Sequence, residues 1–378
     1  MNSNRNVWII DSTLRDGEQS AKVVFSPEEK IAISKLLSDT GIHEIEVGTP
    51  AIGDFEVENI KQITKLNLDS RITAWCRPKK KDIDLSLESK VDIVHISFPT
   101  SKLYLASLNL KEEEVLENLE ILITYAKKYF EFISVGAQDA SRTNINFLIK
   151  FINAANSFGA NRIRLADTIG ILNPSKTFEI VSTVKPLFKN LFIDFHGHND
   201  LGMATANALS AIEAGADSVS VTVNGIGERA GNASLEELVM GLKYSLGLDC
   251  EIKTQNFMKL SKMVSEYSKI PLAENKPIVG EKIFKHEAGI HCNGMIFDRN
   301  TYELFHPEDV GAKTEEFVIG KHSGKASISH ILKKNGIILK ENESKFLLEK
   351  VKELSLNKKS EVSVEELIIL YNKFILQK

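Results

Sequence analysis

A strand-and-helix rhythm constrains this chain more than any other feature. Eight short apolar runs occupy residues 7–10, 44–47, 71–75, 91–96, 132–135, 162–165, 191–195 and 218–223. Each is separated from the next by a loop and a stretch that suits an amphipathic helix. After the first run, Ser26-Pro27-Glu28-Glu29 supplies an N-cap, a proline at the first helical position and a capping-box glutamate. The helix that follows carries Ile31, Ile33, Leu36 and Leu37 and stops before Gly41. Eight such repeats predict an α/β fold of the (β/α)8 TIM-barrel type. An open doubly wound sheet also alternates strand and helix, but places a glycine fingerprint after its first strand. Here the first turn is Thr13-Leu14-Arg15-Asp16-Gly17-Glu18. Gly225-Ile226-Gly227 is followed by Glu228-Arg229-Ala230-Gly231, which breaks dinucleotide-loop spacing.

The rhythm ends near residue 275. Pro271, Pro277 and Gly280, then five further glycines up to Gly324, mark an irregular region. The expected layout is a catalytic barrel over residues 1–275, an irregular connector over 276–324 and a small C-terminal helical region over 325–378. Helices are expected there at 326–334, 345–354 and 364–376.

Composition excludes some partners. With a net charge of -4, the chain has no concentrated basic face for nucleic acid. Lys79-Lys80-Lys81 is read as a solvated loop after Pro78. Cys76, Cys250 and Cys292 are scattered, which points to reduced thiols and a cytoplasmic location. No signal peptide and no bilayer-length apolar run is found, so no membrane partner is expected.

In this fold the chemistry gathers where the strands end. The strand ends bring Arg15 and Asp16; Glu46; Trp75, Cys76 and Arg77; His95 and Ser97; Gln138, Asp139 and Arg142; Asp167 and Thr168; His196 and His198; and Asn224 with the loop to Asn232. So many polar groups would be costly in a structural core. His196 and His198 are two apart on a strand and therefore point the same way. With Asp16 as a charged partner across the barrel, they suit one divalent ion, Mg, Mn, Zn or Co, with positions left open. The plainer alternative is that both imidazoles hydrogen-bond loop carbonyls.

Three long motifs carry a resemblance. Asp11-Ser12-Thr13-Leu14-Arg15-Asp16-Gly17-Glu18-Gln19 resembles the opening signature of the metal-dependent Claisen-condensing barrel enzymes. That family holds isopropylmalate, citramalate and homocitrate synthases, with hydroxymethylglutaryl-CoA lyase as a relative. Phe195-His196-Gly197-His198-Asn199-Asp200-Leu201-Gly202 is similar to its second signature, and Asn224-Gly225-Ile226-Gly227-Glu228-Arg229-Ala230-Gly231-Asn232 to its third. The resemblance continues through His286-Glu287-Ala288-Gly289-Ile290-His291 and Gly320-Lys321-His322-Ser323-Gly324. Glu46-Val47-Gly48-Thr49-Pro50, Trp75-Cys76-Arg77 and Gly136-Ala137-Gln138-Asp139-Ala140-Ser141-Arg142 most resemble homocitrate synthases of the nitrogen-fixation type. Isopropylmalate synthases usually have Phe-Pro after strand two and a C-terminal leucine-sensing domain, for which ~50 residues beyond the connector are too few.

The resemblance implies condensation of acetyl-CoA with a 2-oxoacid, 2-oxoglutarate in the homocitrate case, at one divalent metal. The implied metal ligands are Asp16, His196 and His198, with Asn232 as a weaker fourth. Arg15 would stabilise the ketone oxygen as it becomes an alkoxide. Thr168 would bind the substrate carboxylate, and Gln19, Glu46 and His95 would line the pocket. His291 and Tyr302, from the connector of a partner subunit, would serve the proton abstraction. A domain-swapped homodimer is thereby implied.

Two departures stand out. The family usually has glutamate where this chain has Gln138, so either Asp139 takes the acid-base role or the role is dispensable. Lysine-pathway homocitrate synthases read the distal carboxylate of 2-oxoglutarate with a strand-five arginine, and Ser134 stands at that position here. Arg77, or failing it Arg142, is the expected substitute; otherwise the 2-oxoacid differs. Citramalate or isopropylmalate synthesis is the alternative within the same chemistry. A carbon–carbon lyase would need a glycine-rich cysteine loop, for which Cys292 is the one weak candidate. A non-enzymatic barrel would predict loss of a metal ligand, yet Asp16, His196 and His198 are all present.

Overall fold

Eight parallel strands close into a barrel in chain order in the computed structural model, which describes residues 6–313 and 316–376. They are β1 (Trp8–Asp11), β2 (Glu44–Gly48), β3 (Arg71–Cys76), β4 (Ile93–Pro99), β5 (Phe132–Gln138), β6 (Arg162–Asp167), β7 (Phe192–Gly197) and β8 (Ser218–Val221). β8 pairs with β1 and closes the ring. The chain forms two compact units, Met1–Leu272 and Ala273–Lys378.

Strand alternation sorts the side chains. Ile45, Val47, Ile133, Val135, Ile163, Leu165, Ile193 and Phe195 are buried and apolar, the face a helix layer covers. The residues between them, Glu44, Glu46, Ser134, Arg162, Arg164, Asp194 and His196, are buried and polar. Helices such as Pro27–Thr40, Ile145–Phe158 and Pro174–Val184 form the outer layer. The first of these has the expected capping box: Glu29 N–H donates to Ser26 Oγ at 3.2 Å, and Ser26 N–H to Glu29 Oε2 at 2.7 Å.

Several strands end later than the sequence reading, β6 at Asp167 and β7 at Gly197 among them, and β8 ends earlier. β4 runs on to Pro99 and β5 to Gln138, because their ladder continues through Ser97↔Gly136 and Pro99↔Gln138. Serine, glycine and proline are weak strand signals, so the sequence hid this extension. β8 stops at Val221, since Thr222 turns away to bridge Ser234 and Asn224 adopts a left-handed conformation. Lys80 and Lys81 begin a helix, Lys80–Glu88, rather than lying in a loop.

The second unit holds a two-stranded parallel ladder, Lys285–His286 with Glu316–Phe317, and the helix Gly289–Phe297. Its helices Lys325–Lys334, Glu341–Lys358 and Val364–Leu376 bury Ile328, Ile331, Leu332, Leu347, Val351 and Leu367 together with Ile319 and Val362. No described helix is long and apolar enough to cross a membrane.

Candidate active site and metal centre

Two glutamates two apart on β2 meet two arginines two apart on β6. Arg162 donates to both carboxylate oxygens of Glu44 at 2.7 and 2.6 Å, and Arg164 Nη1 donates to Glu46 Oε2 at 2.7 Å. β2 and β6 stand four strands apart in the closed ring of eight, so these pairs cross the lumen. All four side chains are at most 3% exposed. Above them opens a cavity of about 150 Å³ lined by Arg15, Asp16, Gln19, Trp75, His95, Ser97, Gly136, Gln138, Arg164, Ala166, Thr168, His196, His198, Glu228 and Arg229.

The metal triad expected from the sequence is assembled at the rim. One ligand atom each from Asp16, His196 and His198 lies within 4.8 Å of the others. The two Nε2 atoms face Asp16 Oδ2 at 3.4 and 3.9 Å. Both Nδ1 atoms are buried without a hydrogen-bond partner, so the loop-carbonyl alternative is not what the structure shows. A bridge between His198 and Asn232 brings the latter in, and its Nδ2 donates to Asp16 Oδ1 at 2.9 Å while its Oδ1 has no partner.

Electrostatics prepare these groups to bind a cation. Burial opposes the charged form of Asp16, yet the Arg15 guanidinium and then the two imidazoles hold its carboxyl well below the usual range. Burial, followed by His196, pushes the His198 pKa down to about 4, leaving a neutral imidazole at neutral pH. An anionic oxygen, two imidazoles and an unpartnered amide oxygen fit a divalent ion.

Arg15 is held from both sides. Its Nε donates to Glu46 Oε1 at 2.5 Å and its Nη1 to Asp16 Oδ2 at 2.7 Å, with Gln19 Oε1 at 3.4 Å. Its guanidinium lies 5.8 Å from the Trp75 ring centroid. Glu46 stays ionised despite burial because Arg15 and Arg164 flank it. His95 is pushed well below the ordinary imidazole range by burial, then by Arg164. Thr168 lines the cavity, and its Oγ1 accepts the Asp139 N–H at 2.8 Å.

Three expected site residues are corrected. Glu46 is fully buried and holds Arg15 and Arg164 instead of lining the cavity. Asp139 follows Gln138 by one residue, and that step turns it away from the cavity. Its carboxylate instead accepts from Ser101 at 2.5 Å and from Arg142 at 2.7 Å, which occupies Arg142 as well. Arg77 is also outside the cavity, because the chain leaves β3 at Cys76 and Arg77 folds onto Asp82 through Nε at 2.8 Å and Nη2 at 3.0 Å. Gln138 does reach the cavity and donates to the Tyr104 hydroxyl at 3.3 Å.

Arg164, Glu228 and Arg229 line the cavity and were missed. The signal for Arg164 was available: Arg162 and Arg164 share one face of a buried strand, the same spacing that singled out His196 and His198. Arg229 clamps the rim, with Nε on Asp200 at 2.8 Å and Nη2 on the Thr168 carbonyl at 2.8 Å.

In the second unit, His291 and Tyr302 stack with ring centroids 4.2 Å apart and planes 27° apart. Both are exposed. Cys292 is fully buried, with Sγ on the His286 carbonyl, so it offers no thiol for lyase chemistry.

Residues 6–264 match the HMGL-like family, and residues 278–359 match the homocitrate synthase post-HMGL domain-like family. The chain is 45% identical to 2-isopropylmalate synthase 2 of Caldanaerobacter subterraneus, over 98% of this chain and 96% of that one. It is 43% identical to homocitrate synthase 1 of Nostoc sp., over 96% of each. It is 43% identical to the (R)-citramalate synthase of Methanocaldococcus jannaschii, over 92% of this chain and 70% of that one. The solved HMG-CoA lyase of Brucella melitensis shares the fold, with a TM-score of 0.63 at 19% identity over 70% of this chain and 99% of that one. The chain therefore belongs to the HMGL-like family, in the branch that holds the isopropylmalate, homocitrate and citramalate synthases.

Proposed function

We propose that the protein condenses acetyl-CoA with 2-oxoglutarate and water to give homocitrate and free CoA, as a homocitrate synthase of the nitrogen-fixation type. The observation that carries this reading is the chemistry of the cavity wall below the triad. His95, Ser97, Gln138 and Arg164 line it, and Trp75 and Ala166 are its main apolar surfaces. A distal carboxylate finds donors there, whereas the isopropyl group of 2-oxoisovalerate would press against buried polar groups. The match of residues 278–359 to the homocitrate-synthase second domain supports the same reading. The isopropylmalate and citramalate synthase relatives supply the second reading, condensation with a 2-oxoacid that lacks a distal carboxylate.

In the proposed reaction Asp16, His196 and His198 hold a divalent ion, with Asn232 Oδ1 as a fourth donor. When bound, that ion supplies Lewis acidity to the 2-oxo group and a counter-charge to the adjacent carboxylate. Arg15, fixed by Glu46 and Asp16, donates to the ketone oxygen as negative charge develops on it. Thr168 and Gln19 orient the substrate at the rim. Gln138 has no titratable group and Asp139 is turned away, so the base that takes the acetyl methyl proton comes from elsewhere. His291 stacked on Tyr302 suits that task. We assign the pair to the barrel of a second copy, which makes the enzyme a domain-swapped homodimer. Ile290, Phe297 and Leu304 around it are 78%, 90% and 70% exposed, apolar surface that a partner subunit would cover.

The test is a CoA-release assay with 2-oxoglutarate, 2-oxoisovalerate and pyruvate in the presence of divalent metals. Turnover of 2-oxoglutarate is expected. Turnover of pyruvate or 2-oxoisovalerate with none on 2-oxoglutarate would replace the homocitrate reading with the second one.

A further inference from the structure

Arg164 is the most deeply placed cation lining the cavity, and one of its nitrogens is uncommitted. Nε donates to Asp194 Oδ2 at 2.6 Å and Nη1 to Glu46 Oε2 at 2.7 Å. Nη2 is buried and has no hydrogen-bond partner. A buried guanidinium donor left unpaired is costly, and two carboxylates already hold the side chain in place. The third nitrogen therefore serves something other than the fold.

The neighbouring strand carries no side chain at the matching position. Gly136 on β5 is in register with Arg164 on one side and Ser97 on the other. A Cβ on Gly136 would stand 2.7 Å from His95 Nε2 and 3.2 Å from Ser97 Oγ. Without a side chain at Gly136, the His95 imidazole and the Ser97 hydroxyl pack against β5 beside Arg164, and all three line one part of the cavity. Arg162 Nε donates to Ser134 Oγ at 3.0 Å, and Ser134 Oγ lies 2.8 Å from His95 Nδ1. In the tautomer in which the Ser134 hydroxyl donates to Nδ1, His95 Nε2 carries the hydrogen and is a donor toward the cavity.

Depth matches a substrate tail. Arg164 pairs with Asp194, two residues below the metal-ligating His196 on β7. Two residues of strand is roughly 7 Å, within reach of a two-methylene tail that ends in a carboxylate.

We propose that Arg164 Nη2, with His95 Nε2 and Ser97 Oγ beside Gly136, receives the distal carboxylate of a 2-oxodicarboxylic acid and so sets the substrate class. Strand six then does the work that related synthases give to a strand-five arginine. This assignment rests on the 2-oxoglutarate reading above.

The experiment compares kcat/KM for 2-oxoglutarate and for 2-oxopentanoate, which replaces the distal carboxylate by a methyl group, in the metal-loaded enzyme. Arg164→Gln is made together with Asp194→Asn, so that a carboxylate partner is neutralised along with the cation. The ratio of the two kcat/KM values should fall at least about 100-fold, mostly through KM for 2-oxoglutarate. Gly136→Ala, which disturbs no charge, presses a methyl against His95 Nε2 and Ser97 Oγ and should lower the same ratio at least about fivefold even if the double variant does not fold. Equal losses on both substrates in these variants, with the wild type active on 2-oxoglutarate, would overturn the role of Arg164 and leave the homocitrate reading standing. A wild type that turns over 2-oxopentanoate but not 2-oxoglutarate would overturn both.

Discussion

Glu46 on β2 is bonded on one side by Arg164, 118 residues away in sequence on β6, and on the other by Arg15 after β1. One buried carboxylate thus fixes both the cation beside the metal triad and the cation at the floor of the cavity. Glu44 makes the equivalent cross-lumen pair with Arg162 one layer lower, outside the cavity lining.

That relationship separates stability from chemistry. Glu46→Gln and Glu44→Gln each remove one charge from a buried pair and should each cost about 3 kcal/mol in urea unfolding. Turnover should fall about 100-fold in Glu46→Gln, where Arg15 loses its orientation, and stay within about threefold in Glu44→Gln. Equal activity in the two variants would contradict the positioning role of Glu46.

His198→Ala should weaken binding of Mn or Zn at least about 100-fold in calorimetry and abolish CoA release. Chelation should lower the melting temperature of the wild type but not of the variant. Full activity in the variant would remove His198 from the ligand set.

Asp11, fully buried at the end of β1, gives a pH signature. Burial raises its pKa from 3.8 to about 7, against the hydrogen bonds from Thr13. The native state keeps this proton between the two values while the unfolded chain gives it up, so the contribution falls as pH rises through that window. The loss reaches at most about 4 kcal/mol by pH 8. Asp11→Asn, which still accepts from Thr13, should come closest to the wild type near pH 4 and exceed it progressively up to pH 8 in chemical unfolding. A variant less stable than the wild type at pH 8 would rule out the raised pKa.

Gly294 tests the stacked pair without touching it. A Cβ there would lie 2.7 Å from Tyr302 Cε2, so Gly294→Ala should push the ring off His291. Alanine suits the helix better than glycine by up to about 1 kcal/mol, so the second unit should remain folded. CoA release should drop at least about tenfold with metal affinity unchanged. Unchanged turnover would remove the His291–Tyr302 pair from the proton transfer.

The barrel was legible because strand and helix periods repeat eight times, and the triad because two histidines two apart end a strand. Position near a strand end was a poorer guide for Arg77 and Asp139. One residue past the last ladder bond is enough to reverse the face, and local partners, Asp82 and Arg142, then capture the charge. The spacing of Arg162 and Arg164 on one strand face is visible in the sequence, but the role of Arg164 depends on Glu46 and Asp194, which only the closed barrel brings to it. The extension of β5 through Gly136 was hidden because glycine is a weak strand signal.

The most direct measurement is product identification by NMR after the metal-loaded enzyme is incubated with acetyl-CoA and an equimolar mixture of 2-oxoglutarate, 2-oxoisovalerate and pyruvate. The site described here predicts homocitrate as the dominant product, formed in step with free CoA and lost on chelation. Isopropylmalate or citramalate as the dominant product, or CoA release without a condensation product, would contradict it.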